Sequence, residues 1–317
     1  MLALARAAFG RFARPPGEPD ILVEAVVADG TVDGAPDTPP HRFHRERGGL
    51  YAAGDDRGSV VVADLAAGRA AAFVDRRSPP DVVRTVLLES TVWRMAAWRG
   101  RVALHAAAVV VRGRTFVLRG PGGAGKSTLA AKAARAGHTV VAEEVVWFDP
   151  TGPTPVLRGM PWSVHLEPDA AAAFVGQAAP SGQGGTPRAW SADDRSASAR
   201  AAGASKRALD VERDLGGACA EVAPPGALVF LERAGAGADV AALDREDAHA
   251  RFRDTLLPGE TTQRAAGLSA ACDDLLAHGA YVLRSASPAA ALAALEALAG
   301  GQVVESRVDR PRRAGQP

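Results

Sequence analysis

The chain has 317 residues, of which 47% are hydrophobic and 23% charged, enough for one substantial core and a smaller unit. A formal net charge of +1 is too small for the dense basic surface that binds a nucleic-acid backbone, so no nucleic-acid partner is expected. Two cysteines are too few for a disulfide framework, and no apolar run approaches the roughly 20 residues that cross a bilayer, so we expect a cytoplasmic protein with no membrane partner.

Residues 1–95 are predicted to form a small strand-rich N-terminal region that ends in a linking helix. The β-favouring runs ILVEAVV, SVVVADL and AAAFV alternate with clusters of Gly, Asp and Pro. Apolar residues then recur at helical spacing after Ser78, which is the candidate N-cap. No catalytic pattern occurs in this region, so we expect the function to reside in residues 96–300.

A hairpin that runs into a glycine-rich loop is predicted next. The apolar runs VALHAAAVVV and TFVLRG are separated only by RGR, and a helix is predicted over residues 126–136. The intervening residues match G-x-x-x-x-G-K-[ST], in the strand-to-helix context that this phosphate-binding motif requires. The predicted nucleotide contacts are Gly120, Pro121, Gly122, Gly123, Ala124, Gly125, Lys126, Ser127 and Thr128.

Two residues of this loop have predicted chemical roles. Lys126 is expected to reach the β and γ phosphates, and the Ser127 hydroxyl to bind magnesium. The basic residues are nearly all arginine, with lysine only at 126, 132 and 206, which indicates that position 126 requires a compact ammonium group. The motif alone does not name the reaction, although the absence of an NKxD stretch weighs against a GTPase.

An acidic pair, Glu143 and Glu144, follows the loop helix within HTVVAEEVVWF, which is predicted to be one strand. In a regular strand only one of the two side chains can face the phosphates, although a bend would let both approach. One glutamate is then expected to hold magnesium and the other to accept a proton from an attacking hydroxyl. The alternative is that the pair is the solvated end of a strand.

Three further residues are candidates for the same site. His105 lies on the strand before the hairpin, where a structural role is equally plausible. Lys206 and Arg207 follow an Ala-, Gly- and Ser-rich segment at 178–205 that we interpret as a mobile insertion or lid, and they are candidate phosphate contacts or surface charges. Strands are expected in KRALDVE and GALVFLER and a helix over 288–299, followed by a polar tail at 301–317.

Taken together, His105, the loop, RAGH at 135–138 and the acidic pair resemble the catalytic core of the HPr serine kinase/phosphorylase superfamily. More narrowly, they are similar to the HPr kinase-related proteins of bacterial peptide-modification gene clusters. The resemblance implies an α/β fold with a P-loop nucleotide-binding core of the HPr kinase/phosphoenolpyruvate carboxykinase type. It also implies ATP and Mg²⁺ as cofactors and a peptide or protein substrate with an acceptor serine, as in members that phosphorylate lasso-peptide precursors.

One departure concerns the acidic pair, because the family usually has two aspartates where this chain has glutamates. The extra methylene moves each carboxylate by about one C–C bond, which matters where catalytic geometry is tight. We expect a kinase that transfers the γ phosphate to a hydroxyl, with Lys126, Glu143, Glu144 and His105 as catalytic candidates and Ser127, Glu143 and Glu144 as metal ligands. The alternatives are a nucleotide-binding regulator with little transferase activity and a small-molecule alcohol kinase. The oligomeric state is not predicted.

Overall fold

The computed structural model describes residues 21–28, 42–55, 58–174, 206–256 and 265–301. The chain divides into two compact units, an N-terminal unit of Met1–Arg101 with Ser191–Ser205 and a C-terminal unit of Val102–Trp190 with Lys206–Pro317. The segment 178–205 and the tail after residue 301 lie outside the described residues. The protein is a mixed α/β protein, as expected.

The N-terminal unit contains a five-stranded sheet in the order β1-β5-β4-β3-β2. Its neighbouring strands are antiparallel except for β1 and β5. The strands are β1 Leu22–Ala28, β2 Arg42–Arg47, β3 Leu50–Asp55, β4 Val60–Asp64 and β5 Arg69–Asp75. A helical segment, α1, follows as Pro80–Val82, a π-helical stretch Val83–Glu89, and Ser90–Trp98. Its residues Leu87 and Met95 are buried against Tyr51, Val61 and Leu65.

Ser78 does not cap α1, so that expectation was wrong. Pro79 occupies the N-cap position and no side chain caps the first turn. The Ser78 hydroxyl instead donates to Asp55 Oδ2 at 3.0 Å and lies 2.6 Å from the Ser59 hydroxyl. Because Asp55 is buried, its carboxylate requires donors, and this requirement takes precedence over the helix cap.

Within its described ranges, the C-terminal unit contains three sheets. The largest has seven strands in the order β14-β9-β7-β8-β16-β18-β17, a second has the order β15-β11-β10-β6, and β12 pairs with β13. The strands are β6 Val102–His105, β7 Ala107–Val111, β8 Arg114–Arg119, β9 Thr139–Ala142, β10 Val145–Asp149, β11 Val156–Arg158, β12 Ser163–Leu166, β13 Arg207–Asp210, β14 Ala218–Cys219, β15 Val222–Ala223, β16 Ala227–Arg233, β17 Ala238–Ala242 and β18 Ala280–Ser285.

Helices cover both faces of the seven-stranded sheet. They are α2 Lys126–Arg135 and α6 Pro288–Ala299 on one face and α4 Arg245–Asp254 and α5 Ala265–Ala277 on the other, while the short helix α3 Pro168–Ala172 contacts β12 and β13. Alternate residues of β8 serve the two faces: Val117 packs with α4, α5 and the four-stranded sheet, whereas Phe116 and Leu118 pack with α2 and α6. Among the residues that the structure describes, no helix has the length and apolar character needed to cross a membrane.

Several predicted elements are confirmed. The hairpin is β7–β8, closed by Arg112 (φ 48°) and Gly113 (φ 80°), the positive-φ pair of a type I′ turn. The loop helix, the strands in KRALDVE and GALVFLER, and the helix at 288–299 are also present.

The single strand expected over HTVVAEEVVWF is wrong. The chain leaves the seven-stranded sheet after Ala142 and enters the four-stranded sheet at Val145. The run VALHAAAVVV makes the opposite change at Ala106, from β6 in the four-stranded sheet to β7 in the seven-stranded sheet. The two changes of sheet are adjacent in space, because Val145 pairs with His105 and Ala142 with Ala108.

Candidate active site

The glycine loop joins β8 to α2 and has a backbone that other residues do not readily adopt. Gly120, Gly123 and Gly125 have φ of 151°, 77° and 99°. A Cβ at Gly120 would lie 2.9 Å from the Leu231 carbonyl oxygen and 3.0 Å from the Ala124 Cβ. The loop therefore lies close against β16, and its amides can turn toward an anion without a side-chain clash.

Lys126 is buried at the base of the loop, with 8% of its surface exposed. Its ammonium donates to the carbonyl oxygens of Gly120 at 2.8 Å and Pro121 at 3.3 Å. Burial, followed by the charges of Arg119 and Lys206, lowers the pKa of Lys126, while Glu143 and Glu144 oppose this effect. An ammonium group whose charged form is disfavoured is stabilised by any anion that reaches it, so the residues present fit a triphosphate.

The acidic pair lies at the corner where the chain changes sheet. Glu143 is 6% exposed, and its Oε2 lies 3.2 Å from Nδ1 of His165 on β12. Glu144 is exposed to solvent. Both carboxylates raise the pKa of Lys126, Glu143 more strongly, so both lie within its electrostatic reach. The bend gives the two side chains different surroundings: Glu143 is buried, so it is not a solvated residue at a strand end, whereas Glu144 is in contact with solvent.

His105 and Lys206 also lie near this corner. His105 pairs with Val145, and the N–H of the next residue, Ala106, donates to the Glu144 carbonyl oxygen at 3.1 Å. Lys206 precedes β13, and its charge acts on Lys126. Arg207 has a different electrostatic partner, because its charge acts on Asp214, which is hydrogen-bonded to Arg213. The structure thus brings together the loop, the acidic pair, His105 and Lys206.

Three residues near the loop or the acidic pair were not predicted from the sequence. His165 contacts Glu143. Arg233, at the end of β16, donates from Nε to the Gly123 carbonyl oxygen at 3.0 Å. Arg119 is fully buried, donates to the Thr255 hydroxyl at 3.1 Å and lies over the Phe252 ring at 4.6 Å. The one available signal was that Arg119 directly precedes the loop, since the other two depend on pairing of strands distant in sequence.

The oxygen groups at this site also fit Mg²⁺, which takes one or two carboxylates together with phosphate and water oxygens. Ser127, at the start of α2, and Glu144 would supply oxygen ligands. No group of three or more His, Cys, Asp or Glu residues that could hold a metal ion occurs among the described residues. A magnesium ion held by Ser127 and the acidic pair would take its remaining ligands from phosphate and water oxygens.

A Cys, His and Asp series elsewhere in the C-terminal unit does not form a nucleophilic site. Cys272 Sγ lies 3.5 Å from His249 Nδ1, and His249 Nε2 lies 3.0 Å from Asp273 Oδ1. Burial, the largest effect, raises the pKa of the Cys272 thiol to about 11, and the side chain lies in the core. A thiol with this pKa stays protonated at neutral pH and is a poor nucleophile.

Comparisons with known proteins include a distant structural likeness. No protein-family model matches the chain, and no curated protein matches it. Among solved structures it is similar to the HPr(Ser) kinase/phosphatase from Coxiella burnetii, with 12% sequence identity and a TM-score of 0.27. The match covers 41% of this chain and 59% of that one, so it spans less than two thirds of that protein.

Proposed function

We propose that this protein is an ATP- and Mg²⁺-dependent kinase that transfers the γ phosphate to a hydroxyl group, with a serine of a peptide or protein as the acceptor. The observation that carries the proposal is the placement of the phosphate loop, after β8, and the acidic pair, after β9, at one edge of the sheet, where Lys126 and Glu143 are both buried. Phosphate binding by the loop accounts for Lys126 but not for the two carboxylates. Phosphoryl transfer explains why carboxylates lie beside it, since the reaction requires both a metal ligand and a proton acceptor.

In the proposed reaction the acceptor oxygen attacks the γ phosphorus, the bond from that phosphorus to the bridging oxygen breaks, and ADP leaves. The acceptor proton passes to a carboxylate. We assign this role to Glu143, because His165 holds its side chain in one orientation. Glu144 is exposed, which suits a ligand of an ion that keeps several waters. Magnesium, when bound with the nucleotide, offsets the phosphate charge, and Lys126 and Lys206 act in the same direction.

The test is transfer of labelled phosphate from ATP to candidate peptides, in particular peptides encoded beside the gene. We expect the wild-type protein to label a seryl hydroxyl, and Lys126→Ala to lower the rate by about a hundredfold or more. ATP binding without transfer to any acceptor would instead indicate a nucleotide-binding regulator. Transfer to a free alcohol or sugar, but to no peptide, would indicate a small-molecule kinase.

A further inference from the structure

A cavity of about 420 Å³ adjoins the phosphate loop on the side of β16. Gly120 and Pro121, the first residues of the loop, form one wall, and Leu231 of β16 lies beside them. The opposite wall is helix α4. The volume falls within the range of cavities that hold small-molecule ligands, about 300–1,000 Å³.

The cavity and the acidic pair lie on opposite sides of β8. The strand order is β9-β7-β8-β16, and β8, β9 and β16 run in the same direction, so their carboxyl ends share one edge of the sheet. Adjacent strands are about 4.8 Å apart, which places β9, and with it Glu143, about 10 Å to one side of β8. The cavity lies against β16 on the other side. An acceptor hydroxyl must approach within about 3 Å of its base, so the cavity is not the acceptor site.

The lining of the cavity suits an uncharged polar group. Helix α4 presents Asp247, Ala250, Arg251 and Asp254, which share one face at helical spacing. The Arg251 charge is paired with Glu232, which also accepts from Arg284 at 2.9 Å. The carboxylates of Asp247 and Asp254, at the rim of the cavity, can accept hydrogen bonds from hydroxyl or amino groups. The floor of the cavity includes the apolar side chain of Leu231. The same carboxylates repel phosphate, which disfavours an anionic occupant.

We infer that this cavity is the subsite for the nucleoside part of the triphosphate donor. Ribose hydroxyls and an exocyclic amine of the base donate to the carboxylates of Asp247 and Asp254, and the ring packs on the apolar floor. The phosphates then extend past Gly120 and Pro121 into the loop, with the γ phosphate toward Glu143. The inference rests on the proposed function for the identity of the donor.

The test compares binding of Mg²⁺–ATP with binding of inorganic tripolyphosphate, which has no nucleoside, by calorimetry. Ala250→Trp fills the cavity, and Asp254→Asn removes a carboxylate with little change of shape. We expect Ala250→Trp to weaken ATP binding by about tenfold or more and Asp254→Asn to weaken it several-fold. Tripolyphosphate affinity should be unchanged in Ala250→Trp and unchanged or higher in Asp254→Asn, which loses a charge that repels phosphate. The matched control, Glu246→Trp, places the same ring on an exposed position of α4 and should alter neither affinity.

Unchanged ATP affinity in Ala250→Trp and Asp254→Asn would overturn the assignment, as would an equal loss of ATP and tripolyphosphate affinity in both variants. Failure of the proposed function has a different signature. If the wild-type protein binds neither ligand, both proposals are refuted. If Ala250→Trp selectively loses ATP affinity but the wild-type protein transfers no phosphate, only the kinase proposal is refuted.

Discussion

Lys126 is expected to lower the stability of the folded protein and to be needed for ATP binding. Substitution by Met keeps the length of the side chain and removes the charge. Because burial lowers the pKa of Lys126, we expect Lys126→Met to leave the melting temperature equal to or above that of the wild type, while ATP binding falls about a hundredfold or more. Thermal unfolding and calorimetry measure the two effects.

Lys132→Met is the matched control, since this half-buried lysine lies on the same helix outside the loop. It should leave ATP affinity unchanged. A clear drop in the melting temperature of Lys126→Met, with ATP affinity retained, would contradict the role given to Lys126.

The pH dependence of stability gives a second expected outcome for the same residue. Burial, followed by the charges of Arg119 and Lys206, holds the pKa of Lys126 below its unfolded value, so the folded protein binds fewer protons between the two values. Above the unfolded pKa the folded protein therefore carries no penalty for a charged Lys126. The penalty grows as the pH falls and is complete once the pH has passed below the folded pKa. Unfolding free energies measured across this alkaline range should rise less with pH in Lys126→Met than in the wild type.

The two glutamates should be separable by their response to magnesium. We expect Glu143→Gln to lower kcat by about a hundredfold or more at saturating Mg²⁺, because a proton acceptor is lost. Glu144→Gln should raise the Mg²⁺ concentration needed for half-maximal rate and recover much of its activity in excess Mg²⁺. Steady-state rates across a magnesium titration distinguish the two. The reverse pattern would exchange the two roles, and wild-type kinetics in both variants would remove the pair from the mechanism.

At the element scale, Gly159 fixes the position of the strand end that carries the acidic pair. A Cβ at Gly159 would lie 2.0 Å from the Val141 carbonyl oxygen and 2.6 Å from the Ala142 Cβ. We expect Gly159→Ala to lower the free energy of unfolding by about 2 kcal/mol or more, since the strand must move. Denaturant unfolding measures this loss.

Gly152→Ala serves as the control, because its nearest neighbour would be the Thr154 carbonyl oxygen at 3.5 Å, an ordinary contact. We expect a change within about 0.5 kcal/mol for this exposed glycine. Equal unfolding midpoints for the two variants would show that β9 does not depend on the close approach of Gly159.

The same elements show which parts of the fold are encoded locally. The hairpin, loop and α2 follow from nearby signals: the Arg112-Gly113 turn, the glycines, and the apolar spacing of the helix. The break at Glu143 has no such signal, because the apolar pattern of 138–148 also fits one continuous strand. It depends on contacts from Gly159 and on pairing of β10 with β6, which are distant in sequence. His165 was missed for the same reason, since it reaches Glu143 only through tertiary packing.

At the scale of the whole molecule, the described candidate residues lie in the C-terminal unit, while the N-terminal unit has its own buried core. Mg²⁺–ATP at about one hundred times its Kd should stabilise the unit that binds it by about 2.7 kcal/mol. We therefore expect hydrogen exchange to slow in the loop, α2 and α4, and to remain unchanged in β1 to β5. Protection confined to β1 to β5 would place the nucleotide elsewhere.

The proposed kinase moves the γ phosphate of ATP to a hydroxyl on a peptide or protein. The most direct measurement is the intact mass of a candidate peptide, encoded beside the gene, after co-expression with the wild-type protein or with Lys126→Ala. We expect a gain of about 80 Da on a serine with the wild-type protein and none with the variant. An unmodified peptide in both cases, or the same gain in both, would contradict it.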